Sequence, residues 1–323
     1  MRMKNLLILL IFLAPAHSSG QMVFSYKKVP FESGLKMDGY WVWGGSAIKV
    51  GTTYHLFASR WKKDGPFPEG YRQGSEIVRA TSRSPLGPFK FGEVVIGERD
   101  SSFWDSNMAH NPTIHKIGDE FVLFYIGSDF TTYYNKAANS LLRRVGYATA
   151  KSIEGPWNRC EKPVIDFESN NPAILVEEGK IKLMFRDNVL KVLIAESDNY
   201  KGPYTVVNDN VWNDRLEDFY IFRSRDFYHF ICEDNTGKIS GHLRWGVHLV
   251  SENGVSDWRI YDPVTVYDHE IVFENDSILN CVRRERPQLL ILKNRIRYLY
   301  NGVYDGRDSW CQPVELKKPI KLK

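Results

Sequence analysis

The sequence is poor in cysteine, nearly balanced in charge and short of long apolar runs. Four cysteines in 323 residues are too few for a disulfide-stapled miniprotein, and Cys160, Cys232, Cys281 and Cys311 fit neither zinc nor iron–sulfur spacing. Cys232 lies in an apolar strand pattern and reads as a small buried hydrophobe, while a Cys281–Cys311 bridge stays open. With 43 Lys and Arg against 39 Asp and Glu, the chain carries a formal +4 and lacks the basic stripe of a nucleic-acid binder. No long stretch holds a 3.6-residue apolar period, and no ordered nucleophile–base motif marks a protease. What is abundant is aromatic and β-branched residues, 14% of the chain being Phe, Trp or Tyr.

Residues 1–20 carry Arg2 and Lys4, an apolar run from Leu6 to Ala14, and then Ser18, Ser19 and Gly20. That order is a secretory leader, cleaved before Gln21. The apolar run is far below the roughly 20 residues a spanning helix needs. Export places the mature chain, residues 21–323, in the periplasm or outside the cell, with no stable membrane span.

Beyond the leader, strand-length runs are split by Gly, Pro, Asn and Asp. Five of them share one grammar: an opening motif, a turn, then an aromatic strand. The pairs are Gly45-Ser46-Ala47-Ile48 before Tyr54, Asn111-Pro112-Thr113-Ile114 before Phe121, and Asn171-Pro172-Ala173-Ile174 before Ile181. Asp218-Phe219-Tyr220-Ile221 before Phe227 and Arg286-Pro287-Gln288-Leu289 before Ile296 complete the set. A second element, Gly87-Pro88-Phe89, Gly155-Pro156-Trp157 and Gly202-Pro203-Tyr204, reads as a turn feeding an outer strand. Radial stacking of small twisted sheets explains such repetition, so the spacing predicts an all-β, five-bladed β-propeller with about four antiparallel strands per blade. Met22 to Val29 is expected to close the ring beside the C-terminal residues.

In a propeller the opening motifs crowd one central funnel. They supply Asp105, Asn107, His110 and Asn111, then Asn170 and Asn171, then Glu217 and Asp218, then Arg284, Glu285 and Arg286. Each alone has a plain explanation, since Asx before Pro is an ordinary turn former. Together they suit glycosidic hydrolysis, which needs one protonated and one ionised carboxyl group. Trp41, Trp43 and Trp104 are candidates for a sugar-stacking wall, whereas Trp157 and Trp258 read as packing. Arg60, Asn107, His110, Asn111, Asn171, His242 and Arg286 are candidates to bind sugar hydroxyls.

These residues resemble the five-bladed glycoside hydrolases of family 43 and their relatives, including the family 117 neoagarooligosaccharide hydrolases. The resemblance spans nearly all of residues 30–308. It rests on Trp41-Val42-Trp43-Gly44-Gly45-Ser46, on Phe103-Trp104-Asp105 with His110-Asn111-Pro112, and on Leu216-Glu217-Asp218 with Glu285-Arg286-Pro287. It implies an Asp base on blade one, an Asp that orients substrate, and a Glu acid. The chain departs at blade one, where Gly44-Gly45-Ser46 stands in place of the Asp. Asp105 is then the substitute base, with Asp38 as the alternative. Asp218 matches the orienting carboxylate, and Glu285 is the acid with Glu217 as its rival. Family 117 is thought to use a histidine acid, which nominates His110, His242 and His248, the last reading as structural.

The implied activity is an exported, monomeric exo-glycosidase acting on a plant or algal oligosaccharide, with inversion favoured. No cofactor is required, although similar propellers hold a central calcium or other ion. Two alternatives remain: a non-catalytic glycan-binding propeller, suggested by the missing Asp, and a phosphorylase with phosphate held by Arg60, Arg284 and Arg286.

Overall fold

Runs of β-branched and aromatic residues, cut by Gly-, Asn- and Asp-rich turns, become antiparallel hairpins throughout the chain. The computed structural model describes residues 21–129, 134–135 and 140–322, so the expected leader lies outside the described residues. Blade one runs from the axis outward through Tyr40–Val50, Thr53–Lys62, Glu76–Ser82 and Lys90–Ile96. Blade two uses Met108–Ile117, Glu120–Ser128, Arg144–Ala150 and Asn158–Arg159, and blade three Asn170–Glu177, Lys180–Arg186, Val192–Ser197 and Thr205–Asn208. Blade four comprises Leu216–Ser224, Phe227–Asp234, Gly246–Ser251 and Arg259–Tyr267; blade five comprises Arg283–Leu292, Arg295–Tyr304 and Ser309–Lys321.

The inner strands touch in a closed order, one to two and onward, with five returning to one. The N-terminal segment supplies the outer edge of blade five: Tyr26 bridges Leu316, Lys27 N–H donates to the Glu315 carbonyl at 2.8 Å, and Lys317 N–H donates to Ser25 at 2.8 Å. The expected closure by Met22 to Val29 is thus realised.

The core is five wedges, one between each pair of neighbouring blades. Phe57 and Ile77 meet Leu123 and Tyr125 between blades one and two, and Met184 and Ile194 meet Phe219 and Phe230 between three and four. Each fully buried apolar side chain contributes about 1.5–3 kcal/mol. The Gly-Pro-aromatic steps serve these wedges: Gly87, Gly155 and Gly202 have φ of 86°, 92° and 90°, and the Trp157 ring lies edge-on to Phe57 of blade one at 5.5 Å. Trp258 packs on Phe230 at 4.6 Å, as a structural tryptophan should.

Every inner strand carries a bulge near its start, falling between Trp43 and Ser46, His110 and Thr113, Asn170 and Ala173, Glu217 and Tyr220, and Glu285 and Gln288. The first bulged residue is left-handed in all five: Gly44, Asn111, Asn171, Asp218 and Arg286 have φ of 56°, 53°, 56°, 57° and 54°. This equivalence shifts the blade-one motif to Gly44, one residue earlier than the sequence pattern suggested. A glycine adopts that backbone freely; the arginine pays a steric cost that its surroundings must offset.

All four cysteines are buried and free, so the Cys281–Cys311 bridge does not form. Cys311 instead fills space beside Gly45, where an added Cβ would lie 2.3 Å from its Sγ. Gly45→Ala should therefore lower stability by about 1–3 kcal/mol, seen as a lower urea midpoint with an unchanged slope.

Candidate active site

The bulges decide which side chains face the funnel. The residue before each bulge, Trp43, His110, Asn170, Glu217 or Glu285, lines one cavity of about 330 Å³, as do the bulged Asn111, Asn171 and Asp218. The far ends of second strands add Trp61, Ile126 and Arg186, the Glu69–Arg72 turn adds Tyr71 and Arg72, loops add Arg143 and Asn188, and the start of blade five's inner strand adds Arg283. The cavity is two-sided. Its lining carboxylates, Glu217, Asp218 and Glu285, come from blades four and five, while Trp43, Trp61, Tyr71 and His110 come from blades one and two.

Behind the carboxylates lies Glu233, paired across the strands with Glu217 and only 1% exposed. Oxygens of Asp218, Glu233 and Glu285 all fall within 4.8 Å of one another. Four arginines offset this charge. Arg244 contacts Glu285 at 2.6 Å and Glu233 at 3.4 Å, Arg283 meets Glu285 at 2.5 Å, and Arg186 meets Glu217 at 3.2 Å. Arg286 is buried; its backbone N–H donates to Asp218 at 3.1 Å, its guanidinium lies 3.6 Å from the same carboxylate, and it also donates to the Asn111 carbonyl at 3.3 Å.

Burial pushes Asp218 up to about 7, against the pull of Arg286 and with help from Glu285 and Glu217. Burial and the nearby Glu285 and Asp218 push Glu233 well above the carboxylate range. On the other side, burial and then Arg286 and Arg143 hold His110 well below the usual histidine value, with its Nδ1 2.8 Å from Ser75 Oγ. Neither Glu233 oxygen has a hydrogen-bond partner, and the close spacing of the three carboxylates would admit a cation, so this cluster could hold a metal ion.

A scan against protein-family models finds no match, and neither does a comparison with curated proteins. Solved structures do match. A family 117 glycoside hydrolase of the marine bacterium Zobellia galactanivorans aligns with a TM-score of 0.66 at 15% identity, over 90% of this chain and 89% of that one. The catalytic domain of a Coprinopsis cinerea family 62 α-L-arabinofuranosidase gives 0.66 at 12% identity over 92% and 98%. A thermostable family 43 glycoside hydrolase gives 0.62 at 11% identity over 93% and 97%. The chain has the five-bladed fold of these glycoside hydrolases.

Within that propeller hydrolase fold the acidic cluster stands where the blades converge, but several expected residues lie elsewhere. Asp105 does not line the cavity. Its buried carboxylate pairs with Arg99 and with Arg159 at 2.6 Å, and accepts from Tyr125 at 2.6 Å. That ion cluster ties the loop to blade two and keeps the carboxylate out of the cavity. Trp104 is buried against Tyr125, 5.8 Å between rings, and Trp41 packs in an aromatic cluster with Trp61 and Phe67. Arg60 is held by Glu76 at 2.7 Å between the Tyr40 and Phe91 rings. Arg284 is spent on Asn301 and on two backbone carbonyls. Arg60, Arg284 and Arg286 thus do not converge on a phosphate. His242 is exposed and stacks on Trp245, and His248 is buried against His229 at 3.0 Å. Asn107 braces the Glu69–Arg72 turn by donating to the Arg72 carbonyl at 2.9 Å. The inner-strand pattern missed Glu233, Tyr71, Arg143, Arg186 and Arg244, which sit on second strands and loops. A charged residue closing the second strand at the rung opposite the opening motif would have flagged Glu233 and Arg186.

Two substitutions separate scaffold from site. Asp105→Asn strands Arg99 and Arg159 and should cost about 3–5 kcal/mol. Asp218 behaves oppositely, because its folded value near 7 exceeds the ordinary 3.8, so the native state holds this proton more tightly. Its contribution is full below about pH 4 and lost as pH rises through about 7. Thermal melts across that window should show Asp218→Asn gaining on the parent as pH rises.

Proposed function

We propose that the protein is an exported, exo-acting glycoside hydrolase that cleaves a plant or algal oligosaccharide by carboxylate-assisted acid/base hydrolysis. The observation that carries this reading is the two-sided cavity, with carboxylates on one side and Trp43, Trp61 and Tyr71 on the other. At about 330 Å³ it lies at the small end of ligand sites, roughly 300–1,000 Å³. That size suits the terminal unit of a sugar chain, with Arg286 filling the space behind Asn111 and Asp218.

Asp218, pushed up to about 7 by burial, still carries its proton in about half of the molecules at neutral pH and serves as the acid for the leaving oxygen. Glu285, gripped by Arg244 and Arg283, stabilises positive charge developing at the sugar ring. Glu217 and the amides of Asn111 and Asn171 bind hydroxyls. Asp218 and Glu285 approach within 4.8 Å, near the ~5–5.5 Å of a retaining pair and short of the ~6.5–9.5 Å that leaves room for an inverting water. Inversion therefore requires a base other than Glu285. A calcium ion at this cluster, held through Glu233 and Glu285, would supply a fixed positive charge beside the protonated Asp218 carboxyl. The mature chain spans residues 21–323, acts as a monomer because the ring closes on itself, and binds no nucleic acid. Among the described residues no helix is long and apolar enough to cross a membrane.

A glycan-binding protein without turnover is the second reading, favoured by Gly44 where blade one would offer a carboxylate. Incubation with a panel of neutral and acidic plant and algal oligosaccharides, read by chromatography, separates the two. Hydrolysis by the parent and a ~10²–10⁴-fold fall in kcat for Asp218→Asn support catalysis; tight binding with no product would reject it. Melting the EDTA-treated protein with and without added calcium checks the ion: a calcium-dependent rise in Tm is expected if the cluster binds it.

A further inference from the structure

The cavity lacks an evident base. Its lining carboxylates stand on blades four and five, and Gly44 leaves blade one without one. Among the described residues lining the other side, the groups able to take a proton are His110 and Tyr71. His110 is hemmed in: its Nδ1 meets Ser75 Oγ at 2.8 Å, and its ring lies between Trp61 at 5.5 Å and Tyr71 at 4.6 Å. The Tyr71 hydroxyl is differently placed. It accepts from Arg143 Nη1 at 3.1 Å, and Arg143 is itself anchored by Glu168 at 2.9 Å. Arg72, next in the chain, supplies a second guanidinium. The turn that carries Tyr71, Glu69–Arg72, is fastened to blade two through Asn107.

We propose that Tyr71, oriented by Arg143 and Arg72 on the side of the cavity facing the carboxylates, is the general base that replaces the missing blade-one carboxylate. This rests on the hydrolytic reading above. The phenolate oxygen takes a proton from water as the water oxygen bonds to the anomeric carbon. The bond from that carbon to the leaving oxygen breaks, and the leaving oxygen takes a proton from the acid on the blade-four side. Solvent then removes the phenol proton and reprotonates the acid, so the cycle needs no other reactant. The electrostatics agree with this role. Burial alone would raise the phenol, yet Arg143 and Arg72 outweigh it and bring Tyr71 below the ordinary tyrosine value. The other groups facing it are His110, which is held neutral, and Glu168, which is committed to Arg143.

The test compares the parent, Tyr71→Phe and Arg143→Lys on the oligosaccharide that the parent cleaves, with an ultraviolet phenolate titration of each protein. The expected result is a ~10²–10³-fold lower kcat for Tyr71→Phe with KM changed by less than about threefold and an unchanged Tm. Arg143→Lys loses the paired guanidinium contact, so the acid limb of its rate profile should move to higher pH. The titration should show one phenol ionising before the other tyrosines in the parent and not in Tyr71→Phe. Hydrolysis by the parent that survives Tyr71→Phe, or no early-ionising phenol, overturns the base assignment and leaves the hydrolytic reading standing. A parent that cleaves nothing overturns both.

Discussion

Five strands that start beside one axis must share a small volume with whatever side chains they turn toward it. This protein meets that constraint with the same backbone device five times, a bulge whose first residue is left-handed. The bulge swings the preceding side chain into the funnel and its own side chain toward the axis. Gly44 makes room, Asn111 and Asn171 exchange a side-chain hydrogen bond at 2.9 Å, and Asp218 and Arg286 form a buried pair. The strain of a left-handed arginine, of order 1–3 kcal/mol, is offset by contacts that reach three blades at once.

The same convergence sets the chemistry. Glu217, Asp218, Glu233 and Glu285 would repel one another severely in a dry pocket, and four arginines, Arg186, Arg244, Arg283 and Arg286, stand against them. The compensation is uneven. Glu285 has two close guanidinium partners, while Asp218 has Arg286 at 3.6 Å and Glu233 has Arg244 at 3.4 Å, too little to outweigh burial and like-charged neighbours. Unequal environments separate otherwise similar carboxyl groups, which is the condition for running acid and ionised roles in one site. Across the cavity Tyr71 sits under two arginines, in an environment of the opposite sign.

The propeller was legible because strand period, Gly-Pro turns and a repeated opening motif all respond to local rules. Trp43, His110, Asn111, Asn171, Glu217, Asp218 and Glu285 were legible for the same reason, being tied to that motif by register. Asp105 misled because it lies several residues ahead of its motif in a loop, where no period fixes side-chain direction, and Arg99 and Arg159 claimed it. Arg60 and His242 fall outside the opening motifs and were claimed by Glu76 and Trp245. Tyr71 and Arg143 were invisible because a loop residue's position depends on what it packs against.

By itself the sequence determined the number of blades, the all-β class and the residues at the mouth of each inner strand, since these follow from short-range periodicity and turn chemistry. Only the tertiary structure decided which charges meet. Partners such as Arg286 and Asp218, or Arg143 and Tyr71, are brought together by ring closure across 68 and 72 positions of chain, a distance over which no local pattern carries information.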